Sequence, residues 1–442
     1  VSQSVSQSVS QSVSQSVSQS VSQSVSQSVS QSSILASPAK LINPISLAII
    51  ASVGILSSAS AQAKTVQCNG NGWTQGNVCG HATRDGDVAL GKDSKAEENS
   101  TALGENAIAG QSGNSSGYSG RNSIAIGNYS YSIGNQSIAV GYNSRALAQD
   151  TIAFGNSSMA TFRNAIAIGK GAFSYRNSIA LGRFTHSYID SIALGNEARA
   201  KSYRSMVFGY NASNSWNSSH SVVIGPFATL QGNSTNGTLL GTNTFGRGIG
   251  VLALGGWSSA YSNYAMALGY KALANEQNAI AIGRNAKSLN HNSIALGYDA
   301  LALEQNSIAI GQTSFALRNA IALGRNSLSY LNAIAFGQNS FAHRNALSFG
   351  QNTFSYIDAI ALGRQAQANG YRSIAFGYNA YNSSSSLNSI AIGPFANLQN
   401  NSTGGVLLGS RTSGNGIGVL ALGGRATAQS DYASAIGYNA QA

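Results

Sequence analysis

The sequence predicts an all-β fold, a parallel β-solenoid wound in coils of about 14 residues. Three observations carry this. A hexapeptide, Asn292-Ser293-Ile294-Ala295-Leu296-Gly297, recurs with little change from residue 87 to residue 437, for instance at Asn122–Gly127, Asn177–Gly182, Asn306–Gly311 and Asn388–Gly393. Its glycines keep a short period, mostly 14 residues, with steps of 13 at Gly182 and Gly195 and of 16 at Gly225 and Gly241. Finally, the residues between the glycines alternate large and small, which is the period of a strand.

Each coil is long enough for two short strands and two turns. In the first strand, Ile294 and Leu296 share one side and Ala295 the other. The glycine after it permits positive φ at a tight turn. A second alternation follows, as in Ser144-Arg145-Ala146, Ala172-Phe173-Ser174 and Ala300-Leu301-Ala302, with its small residues expected inward. The Ile/Leu pair is expected to face them across the coil, leaving Ala295 outward. Stacked coils bury what a single coil cannot, and leave sheet edges only at the two ends. On this reading the persistent outward Ala either marks lateral packing of subunits or is a bias of a low-complexity repeat. Lys at Ala295, Ala309 and Ala322 should then dissociate an oligomer, as read by light scattering.

The hexapeptide and its spacing resemble the head of YadA-like trimeric autotransporter adhesins, over about residues 87–442. The resemblance implies left-handed parallel β-rolls bundled as a homotrimer on a bacterial outer membrane. It also implies a C-terminal membrane anchor. No neck, heptad stalk or amphipathic barrel strands are read here, so the outer membrane is expected to be reached only through an anchor outside this chain.

The composition fits an exported repeat protein without catalysis: 9% charged residues, 50 Gly, 2 Cys and 4 Pro in 442 residues. Residues 1–32 are eight copies of Val-Ser-Gln-Ser, and the tract 1–33 is expected to be disordered. A GTCA tetranucleotide array encodes this peptide in every frame, so the tract reads either as a slippage element for phase variation or as a spacer. Residues 34–63 read as a signal peptide, with Lys40, the apolar run Ile45–Leu56 and small-x-small sites at Ala59-Ser60-Ala61 and Ala61-Gln62-Ala63. The competing reading is a membrane anchor, but the run is short for a span. Cleavage after Ala63 removes only Lys40 among charged residues and leaves a net charge of about +10.

Residues 64–86 are expected to form an N-terminal cap. Cys68 and Cys79 form a close pair, which in an exported chain reads as a disulfide. With only His81 nearby as a third ligand, the pair is a poor metal site. The roll starts near Asp87, and the Gly/Ser-rich stretch between Gly104 and Gly127 reads as an irregular coil or loop. A longer repeat lies above the coil: Gly169 through Gly269 recur 168 residues later as Gly337 through Gly437. Both copies carry 16-residue coils with Asn/Ser-rich bulges, at 211–219 and 379–386, which read either as a binding face or as neutral loop expansion. About 25 coils at a strand spacing of roughly 4.8 Å give a rod on the order of 120 Å long.

Signals of catalysis are weak. The five histidines are scattered, acidic residues do not pair, and the Gly-Arg-Gly-Ile-Gly at 246–250 precedes no helix pattern. No cofactor or metal is expected. Arginine is more informative. Arg121, Arg163, Arg176, Arg318 and Arg344 each lie six residues before a repeat glycine, while Arg183, Arg284, Arg325 and Arg364 lie one after it. Equal repeat positions stack, so two broken basic stripes are expected. They read either as turn arginines bonded within the protein or as a surface for polyanions such as sulfated glycans, nucleic acid or lipopolysaccharide. From the resemblance, the expected function is multivalent attachment to host matrix proteins, glycans or cell-surface receptors. The alternative is a structural fibre: a phage tail fibre, a surface layer, or an element of autoaggregation or biofilm.

Overall fold

The computed structural model describes residues 80–83, 86–111 and 120–442. The Val-Ser-Gln-Ser tract, the segment 34–63 expected to be a signal peptide, and Cys68 and Cys79 of the expected disulfide lie outside the described residues. The rest is a parallel β-roll. Each coil contributes one three-residue strand, such as Ile294–Leu296, and one shorter strand, such as Leu301–Ala302. Like strands of successive coils pair in parallel, building two 25-stranded sheets, a long-strand sheet and a short-strand sheet. Register follows the sequence repeat: Ala281, Ala295 and Ala309 are direct neighbours, flanked by Ile280, Ile294 and Ile308 on one side and Ile282, Leu296 and Ile310 on the other.

The long-strand sheet is inverted relative to expectation. Ala295, Ala309 and Ala322 are fully buried inside the coil, while Leu296 is 38% exposed and Ile294 half-buried on the outside. The short strands do turn their small residues inward, with Ala300 and Ala302 buried and Leu301 between them half-buried. Each coil is therefore lined by small side chains from both walls, here Ser293, Ala295, Ala300 and Ala302, all at 0% exposure. The cause is the short connection. The turn Gly297-Tyr298-Asp299 and the inward Ala300 alone join the two strands, and they cannot hold the walls at the ~10 Å that facing layers of large side chains need. Inward Ser replaces Ala where its hydroxyl can bond a turn carbonyl three residues back, as Ser293 Oγ does to Asn290 O at 2.6 Å and Ser314 Oγ to Gly311 O at 3.0 Å.

Both turns need left-handed backbone. Gly297 has φ +137°, and a Cβ there would lie 2.5 Å from the carbonyl oxygen of Gly311 in the next coil. Its side chain is excluded by conformation and by stacking alike. Two residues on, Asp299 has φ 52°, and the Asn that opens many of the hexapeptides does the same on the opposite edge, Asn292 at 54° and Asn306 at 55°. Asn and Asp tolerate this region better than other side chains, which accounts for the frequent Asn at the first letter of the motif, although Gln136, Arg204, His220 and Tyr264 adopt the same backbone there.

All variation in coil length falls on one edge. The Gly-x-x turn after the long strand is constant, whereas the turn before it takes the deletion in 13-residue coils and the insertion in 16-residue coils. Across the long gap after Gly104 the register is kept: Thr101–Leu103 pairs with Ile124–Ile126. At the N-terminal end, His81–Ala82 pairs with Lys95–Ala96, so the short-strand sheet begins inside the segment expected to form the cap.

The largest inward side chains cluster in and next to the 16-residue coils. Leu230, Leu239 and Val251 are buried there, and Leu398, Leu407 and Val419 in the second copy. Glycines make room: a Cβ on Gly246 would meet Leu230 and Leu239 at 2.8 Å each, and one on Gly414 would meet Val419 at 2.9 Å and Leu398 and Leu407 at 3.0 Å.

Candidate functional site

Four outer surfaces result: the long-strand face, the short-strand face and two turn edges. The long-strand face carries Ile, Leu, Val, Phe and Met at both outward positions of almost every strand. Leu181, Leu194, Phe336, Leu362 and Phe376 are exposed on it. Such a strip, continuous along the roll, is far larger than the apolar patches that monomers ordinarily leave in water.

The arginine positions divide between the two edges. Arg121, Arg163, Arg176, Arg318 and Arg344 precede the Asn turn, while Arg183 and Arg325 follow the repeat glycine on the opposite edge. All seven are exposed. Arg163 and Arg176 stand on adjacent coils, since the Asn177 amide donates to Arg163 O at 3.0 Å. Two members of this edge are engaged: Arg121 Nε lies 3.6 Å from Glu98 and Arg318 Nε 3.3 Å from Glu304. Arg183 lies over the ring of Phe184 at 4.8 Å. The edges flank the long strands, so the two stripes do not merge into one basic face.

A family model of the YadA head domain repeat (two copies) matches residues 119–144, 146–172, 189–212, 252–272, 260–286, 274–300, 288–314, 357–380 and 417–440. The chain carries a YadA-like head. Repeats of this type are found in trimeric autotransporter adhesins, a structural and not an enzymatic family. No curated protein matches the chain. Adhesins of this family are exported, cell-surface proteins. Among the described residues, no group of three His, Cys, Asp or Glu side chains could hold a metal, and no helix is long and apolar enough to cross a membrane.

Along the head, the turn asparagines form a ladder that sequence reading did not anticipate. Asn278 Nδ2 donates to Asn292 Oδ1 at 3.0 Å, and the chain of bonds continues through Asn306, Asn319, Asn332 and Asn345 to Asp358, each at 2.9–3.3 Å. A shorter run links Asn164, Asn177 and Asp190. Each run ends on a carboxylate that meets an arginine, Asp358 with Arg372 at 3.8 Å and Asp190 with Arg204 at 4.0 Å. The signal was present as one amide at one repeat position. It was hidden because each Asn, taken alone, is already accounted for as a turn residue.

Aromatic side chains stack in a similar way on and beside the short-strand face. Phe341 and Phe354 are parallel at 4.8 Å, and Tyr175 and Tyr188 stack at 5.1 Å. These columns are specific to particular coils, unlike the hexapeptide, and so differ along the head.

Proposed function

We propose that this protein is the head of a bacterial surface adhesin, assembled as a homotrimer and used for multivalent attachment to host matrix or cells. The observation that carries the reading is the largely apolar outer surface of the long-strand sheet, running the length of the roll. Two further copies of the chain are its natural cover, because an identical roll presents an identical strip at the same spacing. Ile and Leu, not Ala, then form the subunit contact. The trimer leaves the short-strand faces and turn edges in solvent, where each weak contact recurs on three chains and avidity replaces a single deep pocket.

Leu194→Lys, Leu296→Lys and Leu362→Lys, combined, test the assembly. Light scattering should show the wild type at three chain masses and the variant falling toward the 45.4 kDa of one chain, with the β signal in circular dichroism retained. A variant of unchanged mass would refute the interface.

The free guanidiniums support polyanions as one class of attachment ligand. Arg163, Arg176 and Arg183 have no ion-pair partner among the described residues. Gln at all three should lower the salt needed to elute the protein from heparin. Equal elution would return these arginines to a structural role. Clumping of purified trimers, with no retention on matrix proteins or cells, would favour a self-associating fibre instead.

A further inference from the structure

Among the depressions along the short-strand face, one of about 300 Å³ is built by Phe173, His186, Tyr188, Arg199, Lys201 and Trp216. Its construction differs from the rest of the face. Trp216 belongs to the bulge of a 16-residue coil and is 65% exposed, yet it is anchored: its carbonyl accepts Ser202 Oγ at 3.0 Å. Its ring reaches back to meet Tyr188 edge-on at 5.4 Å and 84°, so the two rings form a corner. Phe173 and His186, 5.9 Å apart and tilted by 31°, continue the aromatic wall. Arg199 and Lys201 stand beside it, each half-buried.

Those cations have no ion-pair partner among the described residues. Burial, and after it Arg199 and Lys201, hold the His186 imidazole below its usual range, although its bond to the Phe184 carbonyl acts the other way. At neutral pH the imidazole is therefore uncharged beside two charged neighbours. It offers a hydrogen bond to a hydroxyl while they offer charge to an anion.

From this geometry we infer that the depression binds a carboxylated sugar residue, a sialic or uronic acid. A saccharide ring has apolar C–H faces that pack on an aromatic corner. A ring carboxylate at its edge meets Arg199 and Lys201 in charge-assisted hydrogen bonds. Inorganic sulfate or phosphate would use the cations and leave the aromatic wall unexplained, and a neutral sugar would do the reverse. The site stands apart from the arginine edges and goes beyond the polyanion reading.

The test uses the full chain with N-acetylneuraminic acid, glucuronic acid, galactose and sulfate as probes, in saturation-transfer difference NMR and tryptophan fluorescence titration. One or both acidic sugars should saturate, and which one does so distinguishes the two sources. Galactose should bind at least about tenfold more weakly. Arg199→Gln with Lys201→Asn should weaken the acidic sugar by about tenfold or more, and Trp216→Ala by about three- to tenfold. These positions lie outside the coil core, and unchanged circular dichroism verifies the fold. The inference is overturned if neither acid saturates by about 20 mM, if galactose binds equally, if sulfate alone displaces the sugar as well as a carboxylate does, or if the variants bind undiminished.

Discussion

The tandem copies at 169–269 and 337–437 share a backbone and differ in what they show to solvent. The inner features repeat: Leu230 and Leu398, Leu239 and Leu407, and Val251 and Val419 are buried alike, and Gly246 and Gly414 make room for them. The ladder ends repeat too, with Asn177 to Asp190 and Asn345 to Asp358 both at 2.9 Å. Outside, Arg183, His186, Arg199, Lys201 and Trp216 of the first copy face Gln351, Phe354, Gln367, Asn369 and Ser384 in the second. A coil of this width constrains its inner wall and its turn edges, and leaves the outward positions of the short strands free. Binding chemistry can change there at little cost to folding. The inner wall is not wholly fixed either: Val207 and Val223 correspond to Ala375 and Ala391, and all four are buried.

The strongest test of this division places one charge on either side of the same strand in both copies. Ala193→Lys and Ala361→Lys put an ammonium inside the coil, where an unpaired buried charge costs more than about 4 kcal/mol. Leu194→Lys and Leu362→Lys, one residue on, point out. Thermal denaturation followed by circular dichroism should show the first pair disrupting the roll equally in the two copies, while the second pair leaves the coil fold in place. An Ala→Lys variant that melts within about 2 °C of wild type would overturn the inward assignment.

A smaller effect is expected at the glycines facing the large core residues. Gly246→Ala and Gly414→Ala should each cost about 1–3 kcal/mol, through overpacking against the leucines. Adding Leu230→Ala to Gly246→Ala, or Leu398→Ala to Gly414→Ala, should recover part of the loss, so the double variants are non-additive in chemical denaturation. Additivity in one copy only would show that the two cores are not equivalent.

Much of this was legible in the sequence, for reasons tied to particular residues. Period, parallel register and duplication follow from the spacing of residues such as Gly283, Gly297 and Gly311, because a solenoid must repeat in step with its chain. The inward turn of Ala300 and Ala302 was legible as well. The orientation of Ile294-Ala295-Leu296 was not. Alternation states that two sides differ, and the habit of placing large apolar groups inside chose the wrong one. Here the three-residue turn sets the wall spacing, and the large residues serve a surface instead of a core. The bulge around Trp216 could be read from coil length, but not its reach back to Tyr188, which depends on a ring crossing the intervening coil.

The ladder end at Asp358 gives the mildest prediction, one of sign. Its carboxyl is held below its ordinary value, first by the bond from Asn345, against an opposing effect of desolvation, and further by Tyr371 and by the charges of Arg372 and Arg344. The unfolded chain therefore binds this proton more readily than the folded one. Its contribution to stability is present above the ordinary carboxyl value of 3.8 and is lost as pH falls through the lower folded value. Asp358→Asn keeps an acceptor for Asn345 and removes only the charge. Above pH 4 the variant should melt slightly below wild type, by no more than a few degrees, since the group is partly exposed and screened by solvent. Toward pH 2 the two melting curves should converge. A constant offset across that range would mean that the amide ladder, and not the terminal charge, carries what stability this edge supplies.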